Sequence, residues 1–562
     1  MAWKKRDESK SVEEIVLRNT GYDNICDFLN GKSKTYNIKY LVEAADMIRD
    51  AIKKGLTITI VGDYDADGVT ASASLSYTLE KMGAKVKVRL PRRLTEGYGL
   101  STKIVDEIDD GLLITVDNGI VAFEAIKKAK EKGLQVIVTD HHLLDESGEI
   151  PEADIVIDPH IEGTADFADY CGAGIAYKLA KELTSDEKIL KKISCFAAIG
   201  TICDVMPLIE ENRLIVLEGL KNMVTYGCRT SGLYSVLRAS NYDRNISEDD
   251  IGFKIGPMIN AAGRLYDDGA QIAYDILVYD GPFKEELGLK LIEINDLRKA
   301  KVEEAMQKIK TNIKINCMFG EVPLVVYEPD IPEGIVGIIA GKLTEEMKVP
   351  TFVFTDSDTP GIFKGSARST RGVHLKNLLD KCSDTLYKYG GHADAAGLSV
   401  EESKFDDMKN AFFENIPELE EDTENNDIYY DLEISSNDID KTLKEIQQYA
   451  PFGEGNPRII FKITDFKLSP RYSAFYKTMG DENQHIKLLG NNSEAVGFGM
   501  TEKYLDIKEP KDLNLIGTLG VNHFMGRQSI QIKMDDFEAA NKKTTKSKLA
   551  LLLEAKAKER YS

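Results

Sequence analysis

The sequence has few of the features that mark a secreted or membrane-bound protein. It contains no run of about 18 apolar residues, the length that a membrane span requires. No apolar stretch follows the N-terminal Met-Ala-Trp-Lys-Lys-Arg-Asp-Glu, so a signal peptide is not expected. The seven cysteines are scattered, odd in number and without a CxxC pair, which argues against a disulfide framework and a zinc site. These absences predict a protein of the reducing cytoplasm.

An excess of basic residues is also missing. The formal net charge is −21, whereas a nucleic-acid-binding surface is usually basic. Much of the acid is local, as in the stretch ELEEDTENND at 418–427. Carboxylates that bind divalent metal also count as negative here, although bound ions neutralise them. The charge balance therefore argues against non-specific coating of duplex DNA but leaves room for one narrow basic channel.

The apolar runs predict the fold of the N-terminal half. From Leu56 onward, runs of strand length alternate with polar loops and helical spacing, a pattern typical of a largely parallel, doubly wound sheet. In such sheets, ligands bind at the carboxyl ends of the strands. The predicted strands are LTITIV (56–61), KVKVRLP, GLLITV (111–116), LQVIVT (134–139) and ADIVID (153–158).

A chain of 562 residues is expected to form about three or four domains. Short strand-like runs with turn signals after residue 428 predict a small antiparallel β domain of the oligonucleotide-binding type. The expected divisions are an N-terminal helical segment (1–50), a first α/β domain (51–215), a helical insertion ending in a long connecting helix over 283–314 (216–315), a second α/β domain (320–413), an acidic linker (416–427), the β domain (428–540) and a Lys-rich tail (541–562).

Acidic residues follow three of the predicted strands. If these strands are neighbours, the acids converge in one cleft, where mutual repulsion raises their pKa values unless a cation is present. No Lys or Arg lies within these loops, so metal is the expected counterpart, and oxygen ligands with imidazole suit Mn²⁺ or Mg²⁺ better than Zn²⁺. The residues are Asp63, Asp65 and Asp67 after the first strand, Asp117 after the second, and Asp140, His141 and His142 after the third.

Two simpler interpretations remain open for these motifs. The string DYDADG matches the opening of an EF-hand calcium loop, but that loop needs Glu at its twelfth position, where this chain has Ser74, and a helix rather than a strand before it. The pair His141–His142 could merely end a strand. The nearby acids make a metal site the better interpretation.

Ordered motifs connect the chain with a known family. GDYDADGVTA, TVDNG, VTDHH and GTICDVMPL resemble the motifs of the DHH phosphoesterase superfamily. GPMINAAGRL, GIVGIIAGKLTEEMKVPTFVF, GSARS, GGHADAAG and the N-terminal LRNTGYDNICDFLN are similar to the RecJ single-stranded-DNA exonucleases. The resemblance covers nearly the whole chain. It implies an α/β fold with a doubly wound parallel-sheet DHH domain, a smaller α/β DHH-associated domain joined by a long helix, and a C-terminal OB-like β-barrel.

The resemblance also implies an activity. The expected enzyme is a 5′→3′ exonuclease that hydrolyses single-stranded DNA to 5′-mononucleotides with two Mn²⁺ or Mg²⁺ ions, in DNA recombination and repair. A helicase and a single-strand-binding protein are expected partners of a monomeric chain without membrane association. The alternatives are a DHH enzyme for short oligoribonucleotides or cyclic dinucleotides, a non-catalytic DNA-binding scaffold and a soluble pyrophosphatase. The extra β domain and the full set of acidic motifs argue against them.

The family motifs assign roles to individual residues. His142 is expected to contact the scissile phosphate or assist protonation, and Asp140 to orient His141 without binding metal. Two ions about 4 Å apart can bind both the attacking and the leaving oxygen of an in-line displacement. The resemblance implies one ion held by Asp63, Asp65 and Asp117, and a second held by Asp67, Asp117, His141 and Asp204, with Asp117 bridging.

Phosphate contacts are expected from the distal motifs. Ser366 and Arg368, with Arg93, resemble the family's pocket for the 5′-phosphate, and Arg264 is a candidate backbone contact; a plain surface arginine is the simpler interpretation of each. The glycines of GGHADAAG (Gly390, Gly391 and Gly397) permit close approach of a phosphodiester to which His392 donates, or they simply serve a tight turn.

The chain departs from the family pattern at two positions. Met258 stands where the family usually has Arg, and Cys203 replaces the usual Ala before Asp204. Other residues are interpreted as structural (His160, His485 and His523) or as base-stacking candidates that are more often core (Phe452, Tyr472, Phe475 and Phe524).

Overall fold

The structure is a computed structural model of the chain. It describes residues 2–31, 36–145, 147–225, 232–242, 245–370, 372–419, 427–470, 474–480, 482–524 and 527–540. The predicted tail at 541–562, and most of the predicted linker at 416–427, lie outside these residues. None of the helices in the described ranges combines the length and the apolar character needed to cross a membrane.

The chain forms two compact units. The larger unit comprises Cys26–Thr423 and Pro451–Asn456. The smaller unit comprises Met1–Ile25, Glu424–Ala450 and Pro457–Ser562. The first elements of the chain, β1 (Trp3–Lys5) and α1 (Val12–Thr20), belong to the smaller unit. The N-terminal segment predicted at 1–50 is thus divided between the two units.

The larger unit begins with a parallel sheet. Its strand order is β3–β2–β4–β5–β6, and every neighbouring pair runs parallel, which confirms the predicted doubly wound sheet. All five residues of β4 are buried because helices cover both faces. The elements are α2 (Ile25–Asn30), α3 (Leu41–Lys53), β2 (Thr57–Val61), α4 (Ala66–Lys81), β3 (Lys85–Arg89), α5 (Thr102–Asp106), β4 (Leu112–Val116), α6 (Phe123–Glu131), β5 (Gln135–Thr139) and β6 (Ile155–Ile157).

Helices follow the sheet and share its hydrophobic core. The predicted connecting helix is confirmed as α14, which has 31 residues and begins two residues later than expected. The helices are α7 (Gly172–Leu183), α8 (Glu187–Cys203), α9 (Glu210–Thr225), α10 (Gly232–Ala239), α11 (Glu248–Asp250), a π-helical turn (Ile251–Ile255), α12 (Gly256–Leu265), α13 (Gly269–Val278) and α14 (Glu285–Ile315).

A second sheet completes the larger unit. Its strand order is β10–β11–β9–β8–β7, and only the β7–β8 pair is parallel. The hairpin of β10 and β11 carries GGHADAAG. The elements are β7 (Leu324–Tyr327), α15 (Glu333–Met347), β8 (Thr351–Asp356), β9 (Ile362–Arg368), α16 (Leu375–Lys381), β10 (Lys388–Gly391), β11 (Ala395–Glu401) and α17 (Phe405–Asn415), with short 3₁₀ turns at Ser383–Thr385 and Glu402–Lys404.

The smaller unit is built on a seven-stranded sheet with the order β13–β14–β18–β19–β17–β16–β15. Four strand pairs are antiparallel, as predicted for this domain. The pairs β13–β14 and β17–β19 depart from that prediction and run parallel; a helix lies between the strands of each of these two pairs along the chain. The elements are β12 (Ile428–Tyr430), β13 (Leu432–Ser435), a 3₁₀ turn (Ser436–Asp438), α18 (Ile439–Gln447), β14 (Phe461–Lys467), β15 (Tyr476–Met479), β16 (His485–Leu489), β17 (Ser493–Gly497), α19 (Thr501–Asp506), β18 (Asp512–Phe524) and β19 (Arg527–Ala539).

Candidate metal centre

The loop between β2 and α4 supplies the first group of acids. Asp65 is the N-cap of α4, and its Oδ1 accepts the backbone N–H groups of Asp67 (2.9 Å) and Gly68 (3.1 Å). Gly68 allows the helix to approach the strand, because a Cβ there would lie 2.6 Å from the backbone nitrogen of Asp63. The strand that precedes this loop excludes the EF-hand interpretation, which requires a helix.

Asp67 points from α4 toward the start of α7. Its Oδ2 accepts the N–H of Gly172 at 2.6 Å and its Oδ1 that of Ala173 at 3.0 Å. The positive end of a helix dipole thereby faces a buried carboxylate. Gly200 leaves room for this carboxylate, since a Cβ at that position would lie 2.2 Å from Asp67 Oδ1.

Asp117 directly follows β4 and lies in the left-handed region with φ 62°, a conformation that Asp tolerates better than most residues. Its N–H donates to the carbonyl of Thr139 at 3.0 Å. The next side chain, Asn118, donates to the carbonyl of Val61 at 3.1 Å. These bonds join the ends of β2, β4 and β5, so the carboxyl ends of three neighbouring strands form one rigid edge.

The remaining ligand candidates meet Asp117 at this edge. His141 Nε2 lies 3.0 Å from Asp117 Oδ1, 3.5 Å from Asp204 Oδ2 and 3.9 Å from Asp67 Oδ2. Asp204 is the C-cap of α8, so the end of that helix delivers its carboxylate to the cleft. Residues that are far apart in sequence thus share one small volume.

Three overlapping groups in this volume have the arrangement needed to hold a metal ion, with ligand atoms within 4.8 Å of one another. The structure therefore brings together every residue that the sequence proposed as a ligand. The groups are Asp63–Asp65–Asp117, Asp67–His141–Asp204 and Asp117–His141–His142.

The electrostatics of the cleft favour a divalent cation. Burial, followed by the charges of Asp67 and Asp65, raises the pKa of Asp204 to about 8. Burial and neighbouring carboxylates also raise the pKa of Asp63, Asp65 and Asp117, and burial lowers the pKa of His141. Four buried atoms of the candidate ligands lack a hydrogen-bond partner among the described residues: Asp63 Oδ1, Asp117 Oδ1, His141 Nε2 and Asp204 Oδ2. Orphaned carboxylate oxygens beside an imidazole nitrogen fit Mn²⁺ or Mg²⁺.

Asp140 orients the second histidine of the motif. Its Oδ1 accepts the ring Nδ1–H of His142 at 2.7 Å and the backbone N–H of His141 at 2.8 Å. Asp140 thus contacts His141, the residue it was expected to orient, through the backbone N–H, whereas the ring that it holds is that of His142. Burial opposes the charged form of His142, but the bond to Asp140 and nearby carboxylates outweigh it and raise the pKa of His142 to about 9.

Positively charged residues gather beside the acids. The guanidinium of Arg93 lies 4.6 Å from the ring centre of Tyr64, the residue between Asp63 and Asp65. Arg368 Nη1 donates to Ser366 Oγ at 3.1 Å. Burial, followed by the charges of Arg93, Arg298 and Arg368, lowers the pKa of Arg264 to about 10.

Arg298 is a member of this cluster that the sequence did not reveal. It lies on α14, and its buried Nε has no hydrogen-bond partner in the described part of the chain. Burial lowers its pKa. Arg298 belongs to no motif and sits in a helix with many other charges, so no sequence signal distinguished it.

The glycine-rich hairpin adjoins Ser366 through the sheet. Gly397 of β11 pairs with Ser366 of β9, and Gly390 pairs with Gly397 across the hairpin. Gly391 has φ 144°, and a Cβ there would lie 2.4 Å from the carbonyl oxygen of Ala395. His392 is exposed. The hairpin is therefore open to a ligand at the exposed His392, whereas the turn itself requires a glycine at position 391.

The other residues singled out in the sequence have ordinary surroundings. Phe452 is buried, with 7% of its surface exposed, and Lys511 Nζ lies 4.3 Å from the ring centre of Phe475. Met258 is half-buried against the core. Beyond these, His160 lies beside Asp158, His485 accepts the N–H of Gly499, Cys203 packs on Gly256, and Tyr472 and the side chains of His523 and Phe524 lie outside the described residues.

Comparison with known proteins identifies relatives along most of the chain. Three family models match: "DHH family, N-terminal domain" over residues 57–201, "DHHA1 domain" over 321–418 and "RecJ OB domain" over 430–536. The single-stranded-DNA-specific exonuclease RecJ of Haemophilus influenzae is 32% identical over 88% of this chain and 90% of its own length. The protein of the same name from Bacillus subtilis is 31% identical over 93% of this chain and 67% of its own length.

Solved structures show the same likeness. The crystal structure of RecJ in complex with Mn²⁺ from Thermus thermophilus superimposes with a TM-score of 0.74 at 25% identity, over 93% of this chain and 75% of that one. A crystal structure of exonuclease RecJ bound to manganese gives a TM-score of 0.57 at 31% identity, over 67% of this chain and 94% of that one. Both relatives hold the metal that the chemistry of the cleft suggests for this chain.

Proposed function

Since the chain belongs to the RecJ family of single-stranded-DNA-specific exonucleases, we propose that it removes 5′-mononucleotides from single-stranded DNA in the 5′→3′ direction with two Mn²⁺ or Mg²⁺ ions. The observation that carries this proposal is the set of four orphaned ligand atoms in one buried cleft. One ion would be held by Asp63, Asp65 and Asp117, and the other by Asp67, Asp117, His141 and Asp204. When bound, such ions supply the positive charge that polarises a phosphodiester and favours deprotonation of water.

The protein's own groups position the reacting phosphodiester. Asp140 holds the Nδ1 side of the His142 ring, and the opposite ring nitrogen lies 3.2 Å from the Tyr98 hydroxyl. In exchange for that contact, this nitrogen would donate to an oxygen of the scissile phosphate. Gly172, Gly200 and the αL backbone of Asp117 fix the carboxylates before substrate binds. A site built in this way needs little reorganisation during the reaction, which is the main source of electrostatic catalysis.

The arginine cluster supports the 5′→3′ direction. A terminal 5′-phosphate carries more negative charge than an internal phosphodiester, and several guanidinium groups can bind it with charge-assisted hydrogen bonds. Arg93, Arg264, Arg298 and Arg368 with Ser366 form such a pocket. Because Arg93 packs on Tyr64 between two of the acids, a phosphate held there brings the next phosphodiester to the cleft. The 3′ end of a strand offers no group with this charge.

Strand digestion tests the proposal. The substrates are 3′-labelled single-stranded DNA with a 5′-phosphate, the same strand with a blocked 5′ end, a blunt duplex and an RNA strand of equal sequence. With Mn²⁺ we expect stepwise shortening of the first substrate and release of 5′-mononucleotides. Asp117→Asn is the inactive control. Digestion from the 3′ end, or cleavage of a cyclic dinucleotide without cleavage of any strand, would overturn the proposal.

We further propose a helicase and a single-strand-binding protein as partners in recombination and repair in the cytoplasm. An enzyme restricted to unpaired strands needs another protein to separate a duplex and keep it open. A monomer suffices for the chemistry, because every proposed ligand comes from one chain. Pull-down of the purified chain with each partner class, and its mass in solution at working concentration, check these points.

A further inference from the structure

The loop that carries Arg93 is tied down by a carboxylate from a distant part of the chain. The loop follows β3 and closes a turn of its own, in which the N–H of Glu96 donates to the carbonyl of Arg92 at 2.8 Å. Asp267, two residues after the end of α12, holds this turn from outside. Its Oδ1 accepts the N–H groups of Leu94 (3.0 Å) and Thr95 (3.2 Å), and its Oδ2 accepts the hydroxyl of Thr95 (2.7 Å).

The same short segment also carries Arg264. Helix α12 presents that guanidinium to the cluster, where its Nη1 donates to the carbonyl of Gly334 at 3.2 Å. Asp267 follows three residues later and holds the flanking residues of Arg93. One segment thus sets the position of two arginines that are far apart in the sequence.

These two arginines repel one another, since the charge of Arg93 disfavours the charged form of Arg264. A surface loop without a tether would relieve this repulsion by moving Arg93 toward solvent. Ordering the two guanidinium groups only after substrate arrives would cost binding free energy, whereas a tethered loop is already ordered.

We propose that Asp267 is a positioning residue that holds the Arg93 loop against the Arg264 helix, so that both guanidinium groups are pre-arranged for the terminal phosphate of the substrate strand. This inference rests on the proposed function. Asp267 touches no substrate itself. The hydrogen bonds of Thr95 and Leu94 hold the pKa of Asp267 below its ordinary value despite the opposing effect of burial, so the tether stays ionised at neutral pH.

A purely structural role for Asp267 makes a different prediction. If the carboxylate only stabilised the fold, its loss would slow the cleavage of every substrate equally. If it positions Arg93, its loss weakens the response to the 5′-phosphate alone. Asp268 provides a matched control, because it is the adjacent exposed carboxylate and makes no capping hydrogen bond at the start of α13.

The experiment compares kcat/KM for a 3′-labelled strand that carries either a 5′-phosphate or a 5′-hydroxyl. For Asp267→Ala we expect the preference for phosphate to fall about tenfold, mainly through KM, as misplaced binding groups typically cause losses of this order or more. Thr95→Val removes one of the three bonds and should change the preference in the same direction by less. Asp267→Asn keeps an acceptor for the backbone N–H groups and should therefore retain part of the preference for phosphate. Asp268→Ala should leave it unchanged.

A double variant separates positioning from other effects. If Asp267 acts through Arg93, Arg93→Ala/Asp267→Ala should be no worse than Arg93→Ala alone. Equal losses on both substrates, or a full additional loss in the double variant, would overturn the inference while leaving the exonuclease proposal intact. A wild-type protein that cleaves neither strand would instead refute the proposed function. If Asp267→Ala does not fold, Thr95→Val still tests the inference, because Thr95 is exposed and this variant is expected to fold.

Discussion

Asp117 packs so closely on Gly172 that a Cβ at position 172 would lie 2.4 Å from the Cβ of Asp117. The backbone N–H of the same glycine donates to Asp67 Oδ2 at 2.6 Å. A residue outside every acidic motif therefore determines how close two of the proposed metal ligands can come. No side chain larger than hydrogen fits there without moving Asp117, α7 or both.

Gly172→Ala should impair the cleft without unfolding the chain. We expect at least about a hundredfold loss of kcat/KM, because displacement of catalytic groups by about 1 Å has effects of this size. Weaker Mn²⁺ binding in calorimetry should accompany the loss. Gly174→Ala is the control in the same turn of α7, since a Cβ there would lie 3.5 Å from the ring of Tyr170, an ordinary contact. Equal activity of the two variants would contradict this account.

Asp117→Asn should separate stability from activity. Without metal, the substitution removes one of several mutually repelling buried carboxylates, and Asn accepts the same αL conformation. We expect the metal-free variant to be more stable than the wild type by on the order of 1 kcal/mol, and to lose most of the rise in thermal midpoint that Mn²⁺ gives the wild type. Asp110→Asn, at an exposed acid before β4, should alter neither value. A less stable metal-free Asp117→Asn protein would show that repulsion does not dominate the cleft.

Asp158 should make stability depend on pH. It is fully buried, its Oδ2 has no hydrogen-bond partner among the described residues, and burial raises its pKa to about 7 from the ordinary 3.8. The folded state thus holds the proton more tightly than the unfolded state, so stability is greatest below the ordinary pKa and falls as the pH rises toward 7. The difference between these pKa values corresponds to at most about 4 kcal/mol.

Asp158→Asn removes this charge while its amide oxygen can still accept the N–H of His160. In urea unfolding with a chelator present, we expect the variant to be more stable than the wild type at pH 8 and nearly equal to it at pH 4. A stability difference of the same size at both pH values would refute the assignment.

The smaller unit offers its own probe, because the chain has one tryptophan, Trp3, whose Nε1 donates to Asp536 Oδ2 at 2.9 Å. In the same unit, Arg18 Nη2 lies 2.6 Å from the buried Asp431 Oδ1. Arg18→Met should lower the unfolding free energy reported by Trp3 fluorescence by about 1.5–3 kcal/mol, the range for hydrogen bonds to charged groups. Lys4→Ala breaks only an exposed pair with Asp427 and should leave the midpoint unchanged. If both variants behave alike, the Arg18–Asp431 pair does not stabilise this unit.

The acidic cleft could be predicted from the sequence because its acids directly follow segments that form strands. Apolar runs of strand length end at Asp63, Asp117 and Asp140, and parallel strands place such ends at one edge. The sequence did not show that Asp140 holds the ring of His142 and reaches His141 only at its backbone N–H, because the local backbone path after β5 decides which histidine ring meets the carboxylate. Arg298 and Gly172 gave no signal, because their importance comes from neighbours that are distant in sequence.

The sequence by itself determined the order of the elements, the parallel sheet and the kinds of ligand that gather at its edge, since alternating apolar and polar segments leave few ways to bury the strands. Tertiary structure decided which atoms meet: His141 with Asp117, Asp267 with the Arg93 loop, and the first 25 residues with the C-terminal β unit. Such contacts depend on distances of a few ångströms between segments far apart in the chain, and these distances are set only when the whole core packs.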